Sequence, residues 1–253
     1  MKRIFLLGGY DLEMITIRDL LQKYEETYFD NKLCWDNALL SSYKDVLDQY
    51  GNKTDTVIYG IELQPSSSVT MYANYRLIDH HNEYMRKPSA LIQVAEILNH
   101  PLTRYEQLIA ANDSSYISGM IKLGATHEEV KAIRRKDRIN QGVTEEDEEL
   151  AEQALKDKIE QIDDLIIIQS KTARFSAITD RLYPYRKLLI YTDKEWVYYG
   201  EDTDRIIRLF QDKTLFYGGG FAGFVGVPQN KYSQEEIEQM KNQIIKTNIN
   251  SKK

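Results

Sequence analysis

Apolar positions along the first half of the chain fall alternately into short continuous runs and into helical spacing. Residues 3–7 form an apolar run that ends in Gly8-Gly9, and Ile15, Ile17, Leu20, Leu21 and Tyr24 then recur at helical intervals. This predicts a strand, a turn and a helix. Leu39, Leu40, Tyr43, Val46, Leu47 and Tyr50 predict a second amphipathic helix, with Gly51 as its cap. Residues 56–61 and 76–78 read as buried strands, the second running straight into Asp79-His80-His81, and helical spacing resumes over 89–98. Strands alternating with helices imply a mostly parallel sheet flanked by helices, whose carboxyl edge gathers ligand-binding residues.

Residues 105–157 read as consecutive helices. Thr126-His127-Glu128-Glu129 has capping-box form, Gly142 marks a break, and a charged helix opens at Thr144 and extends to about Ile162. Beyond it a smaller C-terminal α/β domain begins: strands at 165–168, 187–191 and 196–199, with a helix near 178–182. A Ser-capped polar helix from Ser233 and a Lys/Asn tail close the chain. The expected division is a catalytic domain over 1–145, a linker helix over 146–163, a substrate-binding domain over 164–230, and a C-terminal helix and tail over 231–253.

Composition narrows the functional classes. The chain has 253 residues and a formal net charge of −6, the wrong sign for tracking a long polynucleotide by electrostatics alone. A small phosphorylated substrate, a nucleotide or a short oligonucleotide fits better. No apolar run approaches the roughly 20 residues of a membrane helix, and a single cysteine, Cys34, forms no internal disulfide, so a cytoplasmic setting is expected. Oligomeric state is not legible.

Acidic and histidine residues cluster at strand ends and loop-to-helix transitions: Asp11 and Glu13, Glu62, Asp79-His80-His81, and Asp113. Carboxylates with imidazole suit a hard to borderline divalent ion such as manganese, and a bridging carboxylate can hold two ions about 3.5 to 4 Å apart. Blander readings stand beside this one. Asp11 and Glu13 can cap a helix, Asp-His-His can be a turn, and Asn112-Asp113-Ser114-Ser115 is ordinary capping chemistry. His100 and His127 read as structural or exposed. The basic run Lys131, Arg134, Arg135, Lys136 and Arg138 reads as a solvated helix face.

Leu77-Ile78-Asp79-His80-His81-Asn82 resembles the Asp-His-His motif of DHH-family phosphoesterases. Gly8-Gly9-Tyr10-Asp11-Leu12-Glu13 resembles their first motif, with Glu13 where a second Asp is expected. Glu62 is placed like the Asp of the second motif, and Ala111-Asn112-Asp113 resembles the fourth. Tyr217-Gly218-Gly219-Gly220-Phe221-Ala222-Gly223 is similar to the glycine-rich signature of the DHH-associated domain, with Phe221 where His is usual. The segments occur in family order over about 3–228.

The resemblance implies a manganese-dependent hydrolase with two ions, magnesium being possible. Asp79 would bridge the ions, and Asp11, Glu13, Glu62, His80 and Asp113 would complete the ligand set. His81 would face the substrate phosphate. Gly218, Gly219 and Gly220, with Phe221, would cradle a phosphate or nucleotide, and hydrolysis would occur between the domains. The departures at Glu13, Glu62 and Phe221 keep open a nucleotide-binding or regulatory protein without turnover. An interaction protein that docks through its charged helices is a third class.

Overall fold

The computed structural model describes residues 1–34, 37–157, 159–219 and 223–249, with Ile249 described by its backbone alone. The chain divides into two compact units, Met1–Gly142 and Val143–Lys253.

The first unit is built on a four-stranded, wholly parallel sheet of β1 (Lys2–Leu7), β2 (Thr27–Asp30), β3 (Thr56–Ile61) and β4 (Tyr75–Ile78), in the order β2-β1-β3-β4. Ile4, Phe5, Leu6 and Leu7 are all essentially inaccessible, as expected for a central parallel strand covered on both faces. One face packs on Leu40, Tyr43 and Leu47, from a 3-10 turn (Leu40–Tyr43) and helix α2 (Lys44–Tyr50). Buried residues of α1 (Leu12–Lys23) and α3 (Ala90–Leu98) form another part of the core, where α1 packs against α3. Helices α4 (Arg104–Lys122) and α5 (His127–Asn140) pack on α1 in turn.

Strand order reverses direction between β1 and β3, the switch point at which doubly wound sheets open a crevice at their carboxyl ends. Register then decides what meets there. Leu7 pairs with Ile61 and Ile61 with Ile78, so Gly8, Glu62 and Asp79 emerge side by side from neighbouring strands. Gly8 permits the close approach, since a Cβ at that position would lie 2.3 Å from the Ile61 carbonyl oxygen and 2.6 Å from that of Glu62.

The second unit opens with α6 (Glu145–Asp157) and carries a six-stranded sheet in the order β5-β6-β7-β8-β10-β9. Its strands are β5 (Ile159–Ile162), β6 (Leu165–Gln169), β7 (Lys187–Tyr191), β8 (Trp196–Gly200), β9 (Phe216–Gly218) and β10 (Phe224–Gly226). Among the described residues of this sheet, only the β6 and β7 pairing is parallel. Alternation along the strands separates two cores. Leu165, Ile167, Leu189, Trp196 and Tyr198 pack with Ile206 and Phe210, contributed by α8 (Thr203–Leu209) and its end, and with Ile237, Met240 and Ile244 of α9 (Gln234–Ile249). Ile168, Leu188, Ile190 and Val197 pack with Ala151 and Ala154 of α6 and with Ala177 and Ile178 of α7 (Ser176–Leu182).

The chain therefore has the expected α/β class, with a parallel N-terminal sheet flanked by helices and a second α/β unit. Several boundaries differ from the sequence reading. The helix expected to reach Ile162 ends at Asp157, and β5 replaces its last turn. Ile159, Glu160 and Gln161 are exposed on an edge strand, which hides the alternation that reveals a strand, and Asp163 supplies the left-handed turn into β6. The stretch 146–163 is thus no bare linker helix, because α6 and β5 belong to the second unit. The terminal helix likewise buries Ile237, Met240 and Ile244 in that unit's core. The amphipathic segment from Leu39 begins as a 3-10 turn before α2.

Candidate metal centre

Each candidate ligand is delivered by a terminus of an element in the first unit. Asp11 is the N-cap of α1, and its Oδ1 accepts from Met14 N at 2.9 Å. Two residues on, Glu13 is buried with its oxygens divided between two tasks. Oε1 accepts from Leu91 N at 3.0 Å, capping α3 from a neighbouring helix, while the N-cap Ser89 makes no side-chain cap bond. The extra methylene of Glu over Asp lengthens this reach across to α3. Glu62 follows β3 in a left-handed conformation (φ 53°), tied by its N–H to Ile78 O at 2.8 Å. Asp79, His80 and His81 follow β4.

Asp113 lies on α4 just before the helix breaks. Ser115 (φ −152°) and Tyr116 (φ 54°, ψ −151°) leave helical geometry, so α4 is two segments joined at a kink. A positive φ on a bulky aromatic is costly and persists only where surrounding contacts hold it.

Four of these side chains converge. His80 Nε2 lies 2.6 Å from Asp113 Oδ2, 3.2 Å from Glu62 Oε1 and 3.8 Å from Glu13 Oε2. One ligand atom from each of the four residues lies within 4.8 Å of all the others. These four atoms are buried, yet none makes a hydrogen bond of acceptable geometry. Close approach without directional bonding is unusual among buried polar atoms, and an ion at the focus of the lone pairs would account for it. One imidazole and three carboxylates suit a hard to borderline divalent cation, so the residues fit the group that the sequence implies.

Electrostatics point the same way. Burial pushes Asp11 up to about 7, with Glu62 and Asp113 adding like-charge repulsion. Burial likewise raises Glu13, well above the carboxylate range, and Glu62, both helped by Asp113. Burial alone would lower His80, but Asp113 and Glu62 outweigh it and push the imidazole up to about 10. The set is a desolvated excess of negative charge that a divalent cation would neutralise.

Asp79 and Asp11 stand beside this focus rather than in it. Asp79 turns toward His81: its Oδ1 accepts from His81 N at 2.8 Å and lies 3.1 Å from His81 Nδ1. Burial opposes ionisation of Asp79, but its bonds to His81 hold it below its ordinary value, and Asp79 in turn raises His81. Glu62, His80 and His81 form a second, overlapping group of candidate ligands. Asp79, His81, Glu62, Gly8, Gly9 and Asn82 line a small cavity of about 50 Å³ at the carboxyl edge.

In the second unit, Gly218 ends β9 and is in register with Phe224 of β10. Gly219 has φ 78°. Gly220 and Phe221 lie outside the described residues. His100 is structural, bonded to Tyr24 Oη at 3.0 Å and to Glu106 at 3.0 Å, and His127 is exposed at the start of α5. The basic run is not uniformly solvated, because Arg134 and Arg138 are buried. Asn112, expected as capping chemistry, and Arg134, expected on a solvated face, instead join Asp137 in a buried network behind Asp113. Their spacing on α4 and α5 carries no signal, since the contact joins two helices through the fold.

No protein-family model matches the sequence, and no curated protein sequence matches it. Solved structures do match in fold. An exopolyphosphatase-related protein from Bacteroides fragilis superposes with a TM-score of 0.55 at 11% identity, covering 97% of this chain and 92% of that one. A DHH domain from a member of a family of ribosomal proteins gives a TM-score of 0.53 at 11% identity, covering 97% and 87%. With its strand order, its Asp79-His80-His81 at the end of β4 and its second α/β unit, the chain carries the DHH-domain fold.

Proposed function

We propose that this protein is a divalent-metal-dependent phosphoesterase that hydrolyses a phosphodiester or phosphoanhydride in a small nucleotide or short oligonucleotide. The observation that carries this reading is the convergence of Glu13 Oε2, Glu62 Oε1, His80 Nε2 and Asp113 Oδ2 without hydrogen bonds among them. Those residues would hold the ion, with Asp11 and Asp79 at its margin available to a second one. Manganese is the preferred ion and magnesium the substitute. When bound, such ions lower the pKa of coordinated water and offset charge on phosphoryl oxygens.

The remaining work belongs to the chain. Asp79 fixes the rotation of His81 by engaging Nδ1, and its carboxylate raises the pKa of the ring, which favours the protonated form. A protonated His81 at the cavity can donate to a non-bridging phosphate oxygen or protonate the leaving oxygen. Buried walls around Glu13 and His80 limit water and strengthen each charge interaction.

The test is product release from a panel of linear and cyclic dinucleotides, short oligonucleotides and polyphosphate with manganese, comparing wild type with Asp79→Asn. Metal-dependent turnover lost in the variant supports the reading and names the substrate class. Nucleotide binding with no turnover of any substrate favours the regulatory binder instead.

A further inference from the structure

Behind the metal-ligand set lies a second polar network that no step above uses. Helix α5 presents Arg134 and Asp137 one turn apart, both buried and joined by Arg134 Nη1 donating to Asp137 Oδ2 at 2.7 Å. The pair then reaches outward in two directions. Asp137 Oδ1 accepts from Leu12 N at 3.3 Å, the backbone group between Asp11 and Glu13. Arg134 Nη1 also donates to Asn112 Oδ1 at 3.0 Å, the side chain next to Asp113. Its guanidinium sits 4.6 Å from the centre of the Tyr116 ring, at the kink that ends the Asp113 segment.

One buried ion pair thus grips both backbone segments that carry Asp11, Glu13 and Asp113. Breaking one side of such a pair leaves an uncompensated buried charge, so the two helix segments are locked to α5 and through it to each other. Ligand oxygens need placement to about 0.5 Å for a metal site to work. A planar guanidinium that serves Asp137, Asn112 and Tyr116 together supplies such a constraint, which a flexible lysine would not.

We infer that Arg134 and Asp137 are positioning residues that hold Asp11, Glu13 and Asp113 in register for metal binding. The inference rests on the metal-site reading given above. A purely structural pair would support the fold and leave the ion's affinity alone.

The test titrates Mn²⁺ alone into the metal-free 253-residue chain and follows the signal of free Mn²⁺ by electron paramagnetic resonance. Wild type is compared with Asn112→Ala and Arg134→Gln, with circular dichroism reporting the fold. Loss of outer contacts to metal ligands typically weakens binding about 10- to 100-fold, and we expect folded variants to fall in that range. Variants that melt earlier but bind Mn²⁺ within about two-fold of wild type, well short of that range, overturn the positioning role. If Arg134→Gln does not fold, Asn112→Ala, which removes one arm only, decides by the same criterion. Wild type that fails to bind Mn²⁺ overturns the metal-site reading itself, a result separable from equal binding by all three proteins.

Discussion

Substituting Asp11 by Asn should stabilise the metal-free protein while weakening its response to metal. Asn fills the same volume and caps a helix as well as Asp, so the bond from Met14 N to Oδ1 survives. What changes is the charge. Burial, with Glu62 and Asp113 nearby, pushes Asp11 from its ordinary 3.8 up to about 7 in the folded protein. Between those values the native state holds a proton that the unfolded chain releases, so stability falls as pH rises through the window. Each pH unit is worth about 1.4 kcal/mol, which places a ceiling of about 4 kcal/mol on the penalty at pH 8 and about 2 kcal/mol at pH 5. Urea denaturation in the presence of chelator, at both pH values, measures the difference. We expect Asp11→Asn to be more stable than wild type by about 2–4 kcal/mol at pH 8, with a smaller gain at pH 5. In saturating manganese the order should narrow or reverse, because wild type gains more from the ion. A variant no more stable than wild type at pH 8 without metal would refute the claim that Asp11 is held against its charge.

His80 should show the opposite pH dependence. Its folded pKa is raised from 6.5 to about 10, so its stabilisation is complete below 6.5 and lost as pH rises through 10; His80→Gln should remove that slope in urea titrations between pH 6 and 10.5. Gly8→Ala places a Cβ 2.3 Å from the Ile61 carbonyl oxygen, forcing β1 from β3 next to Glu62, and should cost about 2–3 kcal/mol by thermal melt. Thr126→Ala removes one half of the capping box on α5 and should cost about 1 kcal/mol without altering manganese affinity.

The strand ends that frame the candidate site were the most legible. Strands β1, β3 and β4 are short apolar runs that end in Gly8, Glu62 and Asp79, and parallel pairing alone predicts that their ends meet. The capping boxes at Thr126 and Ser233 were readable because they rest on contacts three residues apart. The strands missed were short, edge-lying or poorly buried. Thr27–Asp30 is half-buried along its length, and Ile159–Ile162 is largely exposed, so neither shows an apolar period. The burial of Arg134 and Asp137 was hidden for another reason. Charged residues on an amphipathic helix read as solvated unless something identifies the partner helix that buries them, and here that partner is Asn112, 22 positions away. The dual use of Glu13 follows the same logic, because Leu91 is 78 residues distant.

The central claim is that Glu13, Glu62, His80 and Asp113 form a metal centre. Anomalous diffraction at the manganese edge, from crystals grown with Mn²⁺, tests it most directly. The account predicts a peak about 2.0–2.4 Å from Glu13 Oε2, Glu62 Oε1, His80 Nε2 and Asp113 Oδ2, a distance range usual for divalent ions with oxygen and nitrogen ligands. No peak among these residues, with manganese bound elsewhere or not at all, would contradict it.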